Sequence, residues 1–204
     1  MVITVLGAGV QLLYNDLQDL LNSWLRLRVG MSPWFIRNLF LTEILSKPDG
    51  EMPDLAEGLP APDFTAKAND GSSVTLSNFR GKNVVLYFYT KNFSPGCRAE
   101  TFAFRDNYGK FTSADIELIG ISVDSVESHV DFASRHKIPF KLLSDQDRSI
   151  SRLYGVLGYG GYFAKRTTFI IDKQGVIQKI FPVVLLPTSS KHPETVLEAL
   201  RSLG

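Results

Sequence analysis

The sequence holds one cysteine, Cys97, in the run Ser94-Pro95-Gly96-Cys97-Arg98-Ala99-Glu100, and its neighbours are of the kinds that make a thiol react. The thiolate is the nucleophile, so the chemistry depends on what stabilises a negative sulfur. Ser94-Pro95-Gly96 breaks an apolar run, and the residues after it recur at helical spacing, which puts Cys97 at a helix N-terminus. Unpaired backbone N–H groups and the helix dipole favour an anion there. Ser94 adds a hydroxyl and Arg98 a positive charge. Against this stands the commoner fate of a free cysteine, which is to pack as a small buried hydrophobe. The residue types alone leave both readings open.

The elements that must position Cys97 can be read on either side of it. Residues 83–89 form a short, continuous apolar run rich in Val and Tyr, the pattern of a strand buried inside an α/β sheet. Residues 97–111 carry Phe102, Phe104, Tyr108 and Phe111 at spacings that pack a helix on that sheet. Strand and helix then alternate: a strand over 116–123, a helix capped by Ser125 to about 135, a strand over 140–143 and a short helix over 148–154. A hairpin follows, with strands over 168–171 and 176–181 joined through 173–175. Asp70-Gly71 signals an earlier hairpin, and the glycine-rich stretch 155–162 reads as a mobile surface loop near the site. The fold class predicted is α/β.

At 204 residues the chain exceeds what one such domain needs, and 44% hydrophobic residues support a real core. The excess lies at the start. Val10, Leu13, Leu17, Leu20, Leu21, Trp24 and Leu27 recur every three or four residues, Gly30 stops the pattern, and Ser32-Pro33 opens a second segment, apolar over most of its circumference, from Trp34 to about Leu45. The expectation is an N-terminal amphipathic helical hairpin over 1–46, a Pro- and acid-rich linker over 47–60, and a domain over 61–204. Neither helix has the run of about twenty apolar residues that crosses a bilayer. The hairpin is expected either to fold back on its own domain or on a second copy, or to dock on a membrane surface or a larger protein complex.

A net charge of +1 without a basic run argues against nucleic acid as a partner. One cysteine and three histidines supply no zinc spacing and no intrachain disulfide, so neither metal nor cofactor is expected. His129 and His136, in or just after an exposed-looking helix, read as solvated rather than as ligands. A lone cysteine is simplest in a cytoplasmic or equivalent reducing compartment.

The segment from Tyr89 to Glu100 resembles the peroxidatic loop of the peroxiredoxins, in the peroxiredoxin Q or bacterioferritin-comigratory-protein branch of the AhpC/TSA family. The branch pattern runs aromatic-Tyr-Pro-x-x-x-Thr-Pro-Gly-Cys-x-x-Glu. Cys97 falls on the peroxidatic cysteine, Ser94 on the Thr/Ser three residues before it, Pro95-Gly96 on the Pro-Gly, and Glu100 on the glutamate. Ala61-Pro62-Asp63-Phe64 resembles the family's opening, and Arg166, two residues ahead of Thr168-Phe169, falls on the arginine that the family folds over the cysteine. Thr90 departs from the pattern: it stands where the family has a proline held to shield the thiolate.

The resemblance implies a thioredoxin-like fold, a central mixed sheet flanked by helices, and a peroxidase site made of Cys97, Ser94, Arg166 and Glu100. Arg166 is otherwise an ordinary surface charge before a strand, and Glu100 an acid favoured by the helix dipole. It further implies a hydroperoxide substrate. Phe102 stands where many branch members carry a resolving cysteine, so the cycle implied uses one cysteine and an external thiol reductant such as thioredoxin, glutaredoxin or glutathione. The rival expectation is a binding or assembly protein that keeps the redoxin fold as a docking body and attaches to a membrane or complex through residues 1–46.

Overall fold

The strand that leads into the cysteine helix lies inside a seven-stranded mixed sheet, next to its central strand. The computed structural model describes residues 55–182 and 191–202, and the expectations for 1–46 and for the linker up to residue 54 lie outside the described residues. The strands are β1 (Thr65–Ala68), β2 (Ser73–Thr75), β3 (Asn83–Phe88), β4 (Ile116–Ser122), β5 (Lys141–Ser144), β6 (Thr167–Ile171) and β7 (Ile177–Pro182). The helices are α1 (Pro95–Ser113), α2 (Val126–His136), α3 (Ser149–Leu153) and α4 (His192–Arg201). Their order in the sheet is β2-β1-β5-β4-β3-β6-β7. Strand β3 pairs in parallel with β4 and antiparallel with β6, so it is flanked on both edges.

That position explains the unbroken apolar run, because alternate residues of β3 enter two different cores. Val84, Leu86 and Phe88 pack with Ile119, Ile121, Tyr154 and Phe169 on one side. Val85, Tyr87 and Tyr89 pack on the other with Phe104 and Phe111 of α1, Phe132 of α2, and Val196, Leu197 and Leu200 of α4. Cys97 belongs to this second cluster. Each fully buried side chain of this size contributes roughly 1.5–3 kcal/mol, so α1 is clamped to the sheet beneath the cysteine.

One glycine is needed for this packing. Gly120 lies opposite Tyr87 across the β3–β4 pair, and a Cβ there would fall 2.8 Å from the Tyr87 phenol carbon. The space it leaves lets Tyr87 stack between Tyr89 and Phe104, at centroid distances of 5.4 and 4.7 Å. The Tyr87 hydroxyl is 3.3 Å from Thr101 Oγ1, a further tie between β3 and α1.

The expected elements correspond to those observed to within a residue or two, including Ser125 as the α2 cap, where its hydroxyl accepts from Ser128 N–H at 3.2 Å. The stretch 155–162 is less open than a surface loop: Val156 and Leu157 are buried, and Leu157 bridges Ala164. The reading of His129 is overturned. It is fully buried, because the inward stripe of α2 comprises His129, Phe132 and Ala133 at helical spacing. His136 is half-buried and lies against the rings of Phe102 and Phe132, at 4.9 Å from each.

Candidate active site

The chain leaves β3 at Phe88, continues buried through Tyr89, and reaches the first turn of α1 within a few residues. Ser94 holds the N-cap position with extended backbone, and Pro95 takes the first helical turn, where its missing N–H costs nothing. The Ser94 hydroxyl does not cap the helix. It donates instead to the Lys91 carbonyl at 3.2 Å, and the Ser94 N–H donates to the same oxygen at 3.3 Å. Cys97 is 2% exposed, inside that first turn.

The group that meets the sulfur is Thr90. Its Oγ1 is 2.9 Å from Cys97 Sγ and 3.5 Å from Ser94 Oγ. Ser94 thus joins the sulfur's surroundings through Thr90.

Glu100 follows Cys97 on the inward face of α1, three residues on, and is 1% exposed. It is met by Arg166, which the sheet register delivers: Phe88 pairs with Thr167, so the residue before Thr167 lies beside the exit of β3. Both Arg166 Nε and Nη2 reach Glu100 Oε2 at 3.0 Å. Burial pushes the Glu100 carboxyl up to about 7 even though the guanidinium pulls it down. Burial wins because the pair is almost dry and both donors share one oxygen. The expected site residues therefore fall into two contact groups: Ser94 and Thr90 with Cys97, and Glu100 with Arg166, with α1 carrying both Cys97 and Glu100.

His192, at the start of α4, borders this pair and was not singled out in the sequence. Its Nε2 is 2.8 Å from Thr168 Oγ1 and 3.9 Å from Glu100 Oε1. Burial, and then the nearby Arg166 charge, hold His192 down to about 4. At neutral pH it is uncharged, and the 3.9 Å approach is no ion pair.

A second polar network pins the loop that carries Thr90 and Ser94. Asn92 is fully buried. Its N–H donates to Asp124 Oδ2 at 2.9 Å, its Nδ2 to Ser128 Oγ at 2.9 Å, and its Oδ1 accepts from the Tyr89 hydroxyl at 2.7 Å. His129 Nδ1 is 3.1 Å from the same Oδ1, which can only accept, so Nδ1 carries the proton and donates. Nothing local in the sequence marks Asn92 or His129, since the partners of Asn92 come from α2 and the loop before it, and those of His129 from the segment that leads to the cysteine.

Burial holds His129 down to about 4 as well. Both imidazoles have folded-state values below the ordinary 6.5, so the stability they contribute is present above about 6.5 and is lost as pH falls towards 4. Glu100 runs the other way: its value is raised, so its contribution is full below about 4.5 and is lost as pH rises through about 7. In an NMR titration the ring protons of His129 and His192 are expected to stay flat from pH 8 to 5 and to shift only near 4. Midpoints near 6.5 would show hydrated imidazoles.

Among the described residues no cluster of His, Cys, Asp or Glu is arranged to hold a metal ion, and no helix is long and apolar enough to cross a membrane. The AhpC/TSA family model matches residues 58–180. The chloroplastic peroxiredoxin Q of Sedum lineare is 42% identical over 150 residues, covering 73% of this chain and 80% of the relative. The putative peroxiredoxin bcp of Coxiella burnetii is 41% identical over 133 residues, covering 62% of this chain and 88% of the relative. The solved structure of peroxidoxin BcpB from Mycobacterium tuberculosis superposes with a TM-score of 0.67 at 29% identity, over 74% of this chain and 99% of that one. The Xanthomonas campestris bacterioferritin comigratory protein, described for its alkyl peroxide reduction, superposes at 0.66 with 28% identity, over 72% and 98%.

Proposed function

The chain belongs to the AhpC/TSA family as a thiol-dependent peroxiredoxin of thioredoxin-like fold, and on that premise we propose that Cys97 reduces hydroperoxides in a one-cysteine cycle closed by an external thiol. The observation that supports this reading is the placement of Cys97: buried in the first turn of α1, with a hydroxyl 2.9 Å from its sulfur and a buried Glu100–Arg166 pair one helical turn away.

The thiolate of Cys97 attacks the nearer oxygen of the hydroperoxide. An S–O bond forms as the O–O bond breaks, sulfur loses two electrons, and the far oxygen takes a proton and leaves as water or an alcohol. Negative charge moves from sulfur onto the leaving oxygen, so donors already aimed at that space lower the barrier without reorganising. The backbone N–H groups of the α1 start, the Thr90 hydroxyl and the Arg166 guanidinium are the donors proposed, with Ser94, its own proton on the Lys91 carbonyl, accepting from Thr90. Glu100 holds Arg166 in place; its two contacts fix the guanidinium plane.

The sulfenic acid on Cys97 is then attacked by a thiol, which expels water and leaves a mixed disulfide. A second thiol releases Cys97 as thiolate. With one cysteine in the sequence, both thiols come from outside, from thioredoxin, glutaredoxin, glutathione or a similar donor. A reducing compartment follows from that requirement. The alternative, a docking body without chemistry, draws no support from the described residues.

Without added thiol, the protein is expected to consume one equivalent of hydroperoxide per chain and to yield a dimedone adduct on Cys97. With thiol it turns over. No consumption, or turnover without thiol, would overturn the reading.

A further inference from the structure

We propose that Thr90 is a further catalytic residue of this chain, its hydroxyl donating to the Cys97 thiolate. The inference rests on Cys97 as the reacting group and goes beyond it, since Thr90 occupies a position where the family pattern has a residue without a donor.

The proton inventory around the sulfur carries the argument. Ser94 has one hydroxyl proton, and the Lys91 carbonyl at 3.2 Å, which can only accept, takes it. Thr90 also has one, and its oxygen has two neighbours, Ser94 Oγ at 3.5 Å and Cys97 Sγ at 2.9 Å. A thiolate can only accept, so once Cys97 ionises the Thr90 proton points at sulfur. When Cys97 is a neutral thiol, its S–H can donate to Thr90, which then donates to Ser94. Ionisation of the cysteine therefore swings one proton from Ser94 to the sulfur, without moving a heavy atom.

The site is built to hold this arrangement. Thr90 follows Tyr89, whose N–H donates to the Ile121 carbonyl at 3.0 Å and whose ring is fully buried. Two residues on, Asn92 is pinned by Asp124, Ser128 and His129. With its backbone fixed on both sides, and χ1 of threonine stiff by branching, the hydroxyl keeps its aim at the sulfur.

A hydrogen bond to a charged acceptor biases the ionised form by roughly ten- to a hundredfold. It also damps the thiolate, because intrinsic nucleophilicity falls with basicity at a slope of about 0.4–0.5, roughly three- to tenfold over the same range. The two effects separate with pH. Where ionisation limits the rate the hydroxyl gains about three- to tenfold, and where the sulfur is fully ionised it loses a similar factor.

The test is the pH profile of Cys97 alkylation by iodoacetamide in the full chain, with Thr90→Val, Thr90→Ala and Thr90→Ser compared with the native protein. Iodoacetamide reads the thiolate without a peroxide, so the outcome is independent of whether the peroxidase reading holds. The valine and alanine variants are expected to react about three- to tenfold more slowly at low pH and faster on the high-pH plateau, so that the profiles cross. Serine should follow the native profile. Coincident profiles for valine, alanine and native protein, or a uniform change at every pH, would overturn the proposal, and the alanine variant carries the test if valine does not fold.

Discussion

Replacing Cys97 with serine is expected to abolish hydroperoxide reduction, down to the rate of the thiol reductant alone, while the protein stays folded. The whole reaction passes through one atom: sulfur must be ionised, must attack oxygen and must give up two electrons, and an alcohol does none of these near neutral pH. The structural cost is small by comparison. Serine is slightly smaller, and its hydroxyl can keep a hydrogen bond to Thr90, which lies 2.9 Å from the sulfur in the native protein. The packing around it comes from Phe104, Phe111, Tyr87 and the α4 leucines. The unfolding midpoint should therefore shift by no more than the equivalent of about 1–2 kcal/mol. The measurement is peroxide consumption at saturating thiol, with circular dichroism as the folding control. Appreciable turnover in the serine variant would move the chemistry away from Cys97.

The second large effect is expected at Arg166. On the proposed function, alanine there removes one of the proposed transition-state donors, and a lost preorganised donor of this kind costs about 10² to 10³ in rate. Lysine should restore little, since an ammonium cannot reproduce the planar two-nitrogen grip on Glu100 Oε2. The same change strips the Glu100 carboxyl, 1% exposed in the native protein, of its cation. Breaking a buried pair from one side costs about 3–5 kcal/mol when the remaining charge cannot neutralise. Here it can, because burial already holds the Glu100 carboxyl up to about 7. Without Arg166 it goes higher still, and the group takes up a proton instead of staying charged in a dry site. The destabilisation of Arg166→Ala should thus be modest at pH 5.5 and larger at pH 8. Stopped-flow oxidation of Cys97 and unfolding at the two pH values separate the parts. A native oxidation rate would make Arg166 a strut for α1; an equal loss of stability at both pH values would mean that Glu100 does not titrate near neutrality.

His192 and His129 divide what was legible from what was not. The strand, break and helix around Cys97 are local patterns, visible because burial on both faces of β3 demands an unbroken apolar run and because Pro95 and Ser94 have preferred places at a helix start. His129 looked solvated for a physical reason as well: Glu127, Ser128 and Asp131 stand around it in the sequence, and only the direction of the helix stripe, set by packing against β5 and the cysteine loop, turns it inward. The elements expected over 1–46 lie outside the described residues, and docking through them remains an expectation of the sequence.

Thr90 shows the same division at the site itself. In the sequence it is a departure from a pattern, a proline lost. In the fold it is the hydroxyl on the Cys97 sulfur, because the chain turns back between β3 and α1 and brings two residues seven apart within 2.9 Å. Local order alone pointed to Cys97 as the residue proposed to react, since a helix start and a strand end are properties of a dozen consecutive residues. Only the tertiary structure decided what that residue touches: the β3–β6 register sets Arg166 against Glu100 across 66 residues, and α4 adds His192. Pairings of that range depend on how separate elements pack, which no single stretch of sequence contains.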